Sequence, residues 1–185
     1  MNENDNVCIG CNKKTSITIN HMYFCDDCKK SQSLALRQFD DNKTTFYPEI
    51  DEITEKLYLG NEDGGREKEK LKEFGVTHIL LCGTDLVERY PKDFIYKQLY
   101  IDDSLEQNLT QYFTETFNFI DNAQKIYVHC AAGVSRSASI VIAYLIMKRK
   151  ISFKEAYDHV KKRRKVIHPN GNFVDQLKKL ELEVL

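Results

Sequence analysis

The sequence lacks any long hydrophobic run and has almost no net charge. Its longest apolar stretch, residues 140–147, is far shorter than the roughly 20 residues that a membrane-spanning helix needs. Residues 1–5 are polar, unlike the start of a secretory signal. With 27 basic and 28 acidic residues, the chain has no general attraction for polyanions. These absences predict a cytoplasmic protein, with the nucleus as an alternative, and neither a membrane nor nucleic acid as its partner.

The length and composition suit one ordinary domain with a small appendage. The chain has 185 residues, and 42% of them are hydrophobic, which is enough to build a core. Residues 40–45 are polar and show no hydrophobic periodicity, and residues 40–46 are interpreted as a linker. The sequence therefore predicts an N-terminal module in residues 1–39 and a larger domain in residues 47–185.

Strand-like and helix-like segments alternate along the larger domain. Strands are predicted near residues 53–58, 77–81, 94–100 and 126–128, and helices near residues 66–74, 109–123, 137–149, 153–165 and 173–182. Ser152 and Glu155 form a capping box at the start of one helix. This alternation predicts an α/β fold with a central sheet flanked by helices.

One short loop has the layout of a phosphate-binding site that contains a nucleophile. An apolar strand ends just before Cys130, five residues follow, and Arg136 opens a long apolar helix. Five intervening residues let the loop curl so that its backbone N–H groups point inward, and the helix N-terminus adds further donors and a positive dipole end. A dianionic phosphate fits there, and the same field stabilises a thiolate at Cys130.

Several side chains of this loop suit the same chemistry. The planar fork of Arg136 can hold two phosphoryl oxygens, and Gly133 permits close backbone approach or a positive φ angle. Ser135 can support the loop by hydrogen bonding, Ser137 is placed to donate to the Cys130 sulfur, and His129 can orient the loop from the strand side. The alternative is a buried, inert cysteine at a strand end.

This stretch, His129-Cys130-x-x-Gly133-x-Ser135-Arg136-Ser137, resembles the signature of the cysteine-dependent protein phosphatases, specifically their dual-specificity branch. The resemblance covers about residues 47–185. Its further motifs are Leu57-Tyr58-Leu59-Gly60-Asn61, residues 75–80, Tyr100-Ile101-Asp102-Asp103, Ile142-Ala143-Tyr144-Leu145 and Ile167-His168-Pro169-Asn170. It implies a tyrosine-phosphatase-like central mixed sheet. The family pattern differs at Gly64-Gly65-Arg66, where a helix more often begins with small and polar residues.

The resemblance also implies a mechanism and its residues. Family spacing places a general acid six residues before the apolar residue that opens the next helix, so Asp103 is assigned this role and Asp102 is the alternative. Cys130 would attack phosphorus while Asp103 protonates the leaving oxygen, and Asp103 would then activate water against the phosphocysteine. No metal is required for this reaction. Substrate would be held by the loop: Ala131, Ala132, Gly133, Val134, Ser135 and Arg136.

Two further residues take expected roles from the resemblance. Asn170 resembles the family asparagine that braces the phosphate loop; otherwise it is a turn residue. Cys82 follows a strand that is expected to neighbour the one leading to Cys130, and it resembles a cysteine that forms a disulfide with the nucleophile in a related lipid phosphatase. An inert buried cysteine is the alternative for Cys82.

The resemblance favours phosphoprotein substrates, with hydrolysis of phosphotyrosine and phosphoserine or phosphothreonine esters. Relatives that act on inositol lipids carry lysines in the loop, and Ala131, Ala132 and Val134 supply none. Phosphorylated RNA ends, glucans and lipids remain alternative substrates. A second class of function is an interaction protein that uses the domain as a phosphopeptide-binding scaffold. Retention of Cys130, Arg136 and Asp103 favours an enzyme.

Four cysteines in the N-terminal module have the spacing of a zinc site. Two C-x-x-C pairs are separated by thirteen residues: Cys8 with Cys11, and Cys25 with Cys28. A redox dithiol or a pair of disulfides is the alternative, and an intracellular chain disfavours disulfides. The segment between the pairs suits a short hairpin around Asn20 and His21. We expect a zinc ribbon or knuckle with structural zinc, since so short a module buries little core. Its own partner is unknown.

The densest charge in the chain is the basic run at residues 161–165. A solvated helix end explains such a run, because cations complement the negative end of the helix dipole. A nuclear localisation signal or a docking surface for acidic phosphoproteins is the alternative.

Overall fold

The computed structural model describes residues 49–185 and two short strands near the N-terminus. The chain divides into two compact units, residues Met1–Tyr47 and Pro48–Leu185. In the first unit, strands β1 (Thr18–Ile19) and β2 (Met22–Tyr23) pair in an antiparallel manner. The predicted hairpin is therefore present. The four predicted zinc ligands lie outside the described residues: Cys8, Cys11, Cys25 and Cys28.

A five-stranded mixed sheet forms the centre of the second unit. Its strands are β3 (Ile50–Thr54), β4 (Leu57–Gly60), β5 (His78–Cys82), β6 (Ile95–Leu99) and β7 (Ile126–His129). They lie in the order β3-β4-β7-β5-β6, and only the β3–β4 pair is antiparallel. The mixed sheet with flanking helices confirms the predicted fold class for this unit. Strand β7 lies at the centre of the sheet, so the residues that follow it emerge in the middle of the sheet edge.

Within residues 49–185, five α-helices accompany the sheet. They are α1 (Lys68–Glu73), α2 (Thr110–Asn122), α3 (Arg136–Arg149), α4 (Phe153–Arg163) and α5 (Gly171–Val184). Helix α4 begins with the predicted capping box, in which Ser152 accepts from the Glu155 N–H and Glu155 accepts from the Ser152 N–H. None of the helices within residues 49–185 is long and apolar enough to cross a membrane.

Helix α3 is the central helix of the domain. All of its residues from Ser137 to Ile146 are buried, which fits a sequence that is apolar around the whole circumference of the helix. It contacts strands β4, β5 and β7 on one side and helices α2, α4 and α5 on the others. Close packing on every side fixes the position of its N-terminus, where Arg136 begins the first turn.

Several element boundaries differ by a few residues from the sequence-based expectation. The single strand expected at residues 53–58 is wrong: the chain forms a hairpin, with β3 and β4 on either side of a turn at Glu55 and Lys56. Neither Glu55 nor Lys56 is a typical turn residue, so no turn signal separates the two strands in the sequence. Helix α4 ends at Arg163, two residues before the expected end, because Arg164 has an extended backbone (φ −117°, ψ 98°).

The unusual residues Gly64 and Gly65 form a 3₁₀ turn with Arg66, and helix α1 begins only at Lys68. Glycines occur here because the large side chains of strand β7 lie close to the backbone of this turn. A Cβ atom on Gly64 would lie 2.4 Å from the Tyr127 hydroxyl oxygen, and one on Gly65 would lie 2.9 Å from His129 Nε2. Glycine is therefore required here because β7 carries large buried rings beneath the turn.

Candidate active site

The loop from Cys130 to Ser135 joins the central strand β7 to the buried helix α3. Cys130 is only 2% exposed and lies directly after the strand. Two donors reach its sulfur: the backbone N–H of Gly133 and the hydroxyl of Ser137, each with its heavy atom 3.2 Å from Sγ. Both hydrogen bonds stabilise a negative charge on sulfur more than a neutral thiol.

The carbonyl groups of the loop are bonded to donors that lie outside it. These bonds run from Glu62 N to Ala131 O (3.0 Å), Arg164 Nη2 to Ala132 O (3.3 Å), Arg164 Nε to Gly133 O (2.8 Å), His168 N to Val134 O (2.8 Å) and Ser139 N to Ser135 O (2.9 Å). In a trans peptide the C=O and N–H groups point in opposite directions. Holding the carbonyls outward therefore turns the amides inward, which forms an anion-binding concavity.

Any residue with a side chain would be strained at position 133 of this loop, which is occupied by Gly133. Its φ angle is +67°, a region that favours glycine. A Cβ atom at this position would lie 2.3 Å from Gly60 O and 2.6 Å from Arg164 Nη2. The loop is therefore closely packed between strand β4 and the guanidinium of Arg164.

Arg136 occupies the first position of helix α3, and its side chain is 15% exposed. Its Nη1 lies 3.4 Å from Asp85 Oδ1, and its buried Nε has no hydrogen-bond partner among the described residues. The backbone of Gly83 passes so near that a Cβ there would lie 2.6 Å from Nη1. An unsatisfied, buried, charged donor is costly, and a phosphoryl oxygen is an acceptor that would satisfy it.

The structure brings Asp103 to the loop. Its Oδ1 accepts two hydrogen bonds of 2.7 Å, from Ser135 Oγ and from Asn170 Nδ2. The backbone N–H of Asn170 in turn donates to Ser135 Oγ at 3.1 Å. Asp102 points elsewhere, since its carboxylate accepts from Thr84 Oγ1 at 3.4 Å. The carboxyl group of Asp103 is thus oriented by Ser135 of this loop and by Asn170, the N-cap residue of helix α5.

His129 lies beneath the loop in a buried position. Its ring stacks on that of Tyr127, with 5.2 Å between centroids, and its Nδ1 lies 3.3 Å from Cys130 O. Burial lowers the pKa of His129 to about 4, against an ordinary value of 6.5. The imidazole is therefore neutral at neutral pH, and it supports the loop by packing and not by charge.

Cys82 is the last residue of strand β5, which pairs in parallel with β7 up to Leu81 and His129. The next residues in that register are Cys82 and Cys130. Both are buried free cysteines. Burial, followed by the nearby Cys130, raises the pKa of the Cys82 thiol well above its ordinary value. Cys82 therefore stays protonated at neutral pH.

Sequence reasoning missed three residues that hold the loop from outside: Glu62, Arg164 and His168. Glu62 and His168 act through their backbone N–H groups, so their side-chain types carried no signal. Arg164 was included in the basic run interpreted as a solvated helix end, yet it is only 2% exposed. No local pattern in the sequence distinguishes Arg164 from its exposed basic neighbours.

Comparisons with known proteins agree with this geometry. Residues 57–183 match the family "Dual specificity phosphatase, catalytic domain". The chain is 41% identical over 133 residues to dual specificity protein phosphatase 1 of Arabidopsis thaliana, covering 70% of this chain and 67% of that protein. It is 37% identical over 140 residues to dual specificity protein phosphatase 1B of the same plant, covering 74% of this chain and 84% of that one. The crystal structure of human tyrosine phosphatase-like serine/threonine/tyrosine-interacting protein is similar with a TM-score of 0.69 and 32% identity, covering 72% and 96% of the two chains.

We expect His129 to make the stability of the domain depend on pH below neutrality. The unfolded imidazole binds a proton near pH 6.5, whereas the folded one stays neutral down to a pKa of about 4. Above pH 6.5 His129 is neutral in both states and its titration does not change the free energy of unfolding. As the pH falls from 6.5 towards 4, only the unfolded state gains the proton, so the free energy of unfolding falls by a total on the order of 3 kcal/mol. The measurement is the free energy of unfolding of the wild type and of His129→Asn between pH 4 and 7. The difference between the two proteins should shrink towards low pH, and parallel curves would contradict the prediction.

Proposed function

Because the chain belongs to the dual specificity phosphatase family, we propose that its protein phosphatase activity proceeds through a phosphocysteine on Cys130. The observation that carries this assignment is the position of the buried sulfur, at the end of the central strand and within 3.2 Å of two donors. A thiolate held by two donors is the nucleophilic form of cysteine that this reaction needs.

In the first step, the Cys130 thiolate attacks phosphorus. The S–P bond forms as the P–O bond to the substrate breaks, and the leaving oxygen takes a proton from Asp103. The inward amides and Arg136 bind the equatorial oxygens of the phosphoryl group throughout, so positioning and charge stabilisation supply most of the catalysis. The buried Nε of Arg136 gains its acceptor in this complex.

In the second step, water hydrolyses the phosphocysteine. Asp103, now ionised, takes a proton from the attacking water, and the S–P bond breaks to give phosphate and the thiolate. Ser137 donates to the departing sulfur, a role that its 3.2 Å contact supports. The bonds from Ser135 and Asn170 to one carboxylate oxygen keep Asp103 aimed at the loop in both steps.

Phosphoproteins are the substrate class that the site favours. The loop side chains between Cys130 and Ser135 are small and uncharged, so they offer no lysine to the extra phosphates of an inositol lipid. The relatives described above are named as protein phosphatases. Retention of a nucleophile, an arginine and an oriented acid distinguishes the chain from a phosphopeptide-binding scaffold, which needs only the arginine and the amides.

We predict that Asp103→Ala slows turnover of a substrate with a poor leaving group far more than that of an activated aryl phosphate. Loss of a general acid costs on the order of 10²- to 10⁴-fold, and a good leaving group does not need the proton. Asp102→Ala is the matched control and should behave as the wild type with both substrates. Cys130→Ser should be inactive with both while still binding inorganic phosphate. The assignment is wrong if the leaving-group dependence follows Asp102.

We propose that Cys82 protects Cys130 during oxidation. Peroxide converts the Cys130 thiolate to a sulfenic acid with release of hydroxide, and the Cys82 thiol then displaces water to form a disulfide. Neighbouring strands lie about 4.8 Å apart, within the roughly 4.4 to 6.8 Å between Cα atoms that a disulfide requires. The raised pKa of Cys82 directs peroxide to Cys130, and the later attack of Cys82 on the sulfenic acid proceeds through its minor thiolate form.

The test is brief treatment with peroxide followed by thiol reduction. The wild type should recover most of its activity, because the disulfide is reversible, and Cys82→Ser should recover much less. Mass spectrometry should find Cys82 linked to Cys130 in the oxidised wild type. Equal recovery by the two proteins would exclude Cys82 as the resolving thiol.

For the N-terminal unit, we propose one zinc ion held by Cys8, Cys11, Cys25 and Cys28. Four thiolates in two C-x-x-C pairs are a donor set that suits tetrahedral zinc. In sequence, the β1–β2 pair lies between the two cysteine pairs. Thiolate ligands must remain reduced, so the proposal includes a cytoplasmic or nuclear location. It also includes a separate partner for this unit.

Metal analysis of the purified chain should find close to one zinc per molecule. The double variant Cys8→Ser, Cys11→Ser should lose this metal, because only two of the four ligands remain. Aryl phosphatase activity should persist in that variant, since no step above uses the metal. A wild-type chain without bound metal would contradict the ligand set.

A further inference from the structure

The basic run at residues 161–165 does not form one surface. Lys162, Arg163 and Lys165 are exposed, whereas Arg164 is 2% exposed. Helix α4 ends at Arg163, and the extended backbone of the next residue turns its side chain inward beneath the catalytic loop. Burying a guanidinium is costly unless its donors are paired, so the contacts of Arg164 show what its position requires.

Among residues 49–185, the three nitrogens of the Arg164 guanidinium bond to the loop and to strand β3. Its Nε donates to Gly133 O at 2.8 Å, and its Nη2 donates to Ala132 O at 3.3 Å. Its Nη1 donates to Asp51 Oδ2 of strand β3 at 2.7 Å. The guanidinium is planar, so the ion pair with Asp51 fixes the direction of the donors that face the loop.

One of these bonds leads directly to the nucleophile. The Ala132 carbonyl and the Gly133 N–H belong to the same peptide group. Arg164 binds the oxygen end of that group, and the nitrogen end donates to Cys130 Sγ at 3.2 Å. A cation at the oxygen polarises the peptide and strengthens the bond that its N–H donates, because linked hydrogen bonds reinforce one another in a poorly solvated site.

We propose that Arg164 is a positioning residue for the phosphatase reaction, which holds the Gly133 N–H on the Cys130 thiolate and is itself held by Asp51. It does not touch the reacting atoms. Its charge acts on the sulfur by polarising the peptide group between Ala132 and Gly133. Its two donors to the loop also keep the carbonyl of that peptide from turning towards the phosphate. The proposal rests on the proposed function, since it assumes that Cys130 reacts as a thiolate.

The experiment compares Arg164→Met with Arg163→Met, a matched change at the exposed neighbour. Three quantities are measured on the full chain: the pH midpoint of iodoacetamide labelling at Cys130, the inhibition constant of inorganic phosphate, and kcat/KM for an aryl phosphate. Mass spectrometry identifies Cys130 as the labelled residue. For Arg164→Met, the labelling midpoint should rise by about one pH unit. At pH values below the midpoint, this corresponds to a tenfold smaller fraction of thiolate. Phosphate should bind about tenfold more weakly, because the amides are less well aligned. Arg163→Met should match the wild type in all three.

Two further variants cover the case in which Arg164→Met does not fold. Arg164→Lys keeps a cation beside Asp51, but a single ammonium cannot span both carbonyls, so the same shifts should appear at a smaller size. Asp51→Asn keeps the arginine and removes its anchor, and it should also raise the midpoint. A folded Arg164 variant and Asp51→Asn that both show the wild-type midpoint and phosphate affinity would overturn the proposal. If the wild-type protein shows neither turnover nor preferential labelling of Cys130, the proposed function is overturned instead.

Discussion

The outward anchoring of the catalytic-loop carbonyls is the constraint on which the rest of the site depends. A peptide group that points its oxygen away from a centre must point its N–H towards it. The carbonyls of residues 131–135 are each bonded to a donor outside the loop. The amides of the loop therefore point inward before any substrate binds, and that of Gly133 lies 3.2 Å from Cys130 Sγ. This preorganisation is the form of electrostatic catalysis that needs no rearrangement during the reaction.

The anchors come from separate parts of the fold, which explains why a whole domain is needed to hold one short loop. Glu62 follows strand β4, Arg164 follows helix α4, and His168 and Asn170 precede helix α5. Strand β7 and helix α3 fix the two ends of the loop from the middle of the core. Asp103 is attached to the same network through Ser135 and Asn170. In the proposed mechanism, the nucleophile and the acid are therefore positioned through the same loop, Cys130 by the Gly133 N–H and Asp103 by Ser135.

The sequence predicted the components of the site better than their supports. The strand, the loop and the helix around Cys130 could be read from local patterns, and the α/β class followed from alternating elements. The β3–β4 hairpin was missed because its turn, at Glu55 and Lys56, contains none of the usual turn residues. The loop-binding role of Arg164 could not be read from sequence, because it depends on Asp51, more than a hundred positions away. The two glycines at residues 64 and 65 likewise have their cause in Tyr127 and His129. Local patterns report local structure, whereas these features arise from long-range packing.

The most direct measurement of the central claim is the location of phosphate on the enzyme during turnover. Wild-type protein mixed with a phosphopeptide is quenched with acid within the first turnovers, digested and mapped by mass spectrometry, with Cys130→Ser as the control. If the anchored loop presents a thiolate to phosphorus, the phosphate is found on Cys130 in the wild type and on no residue of the control. Phosphate on another side chain, or turnover by the control, would contradict the account.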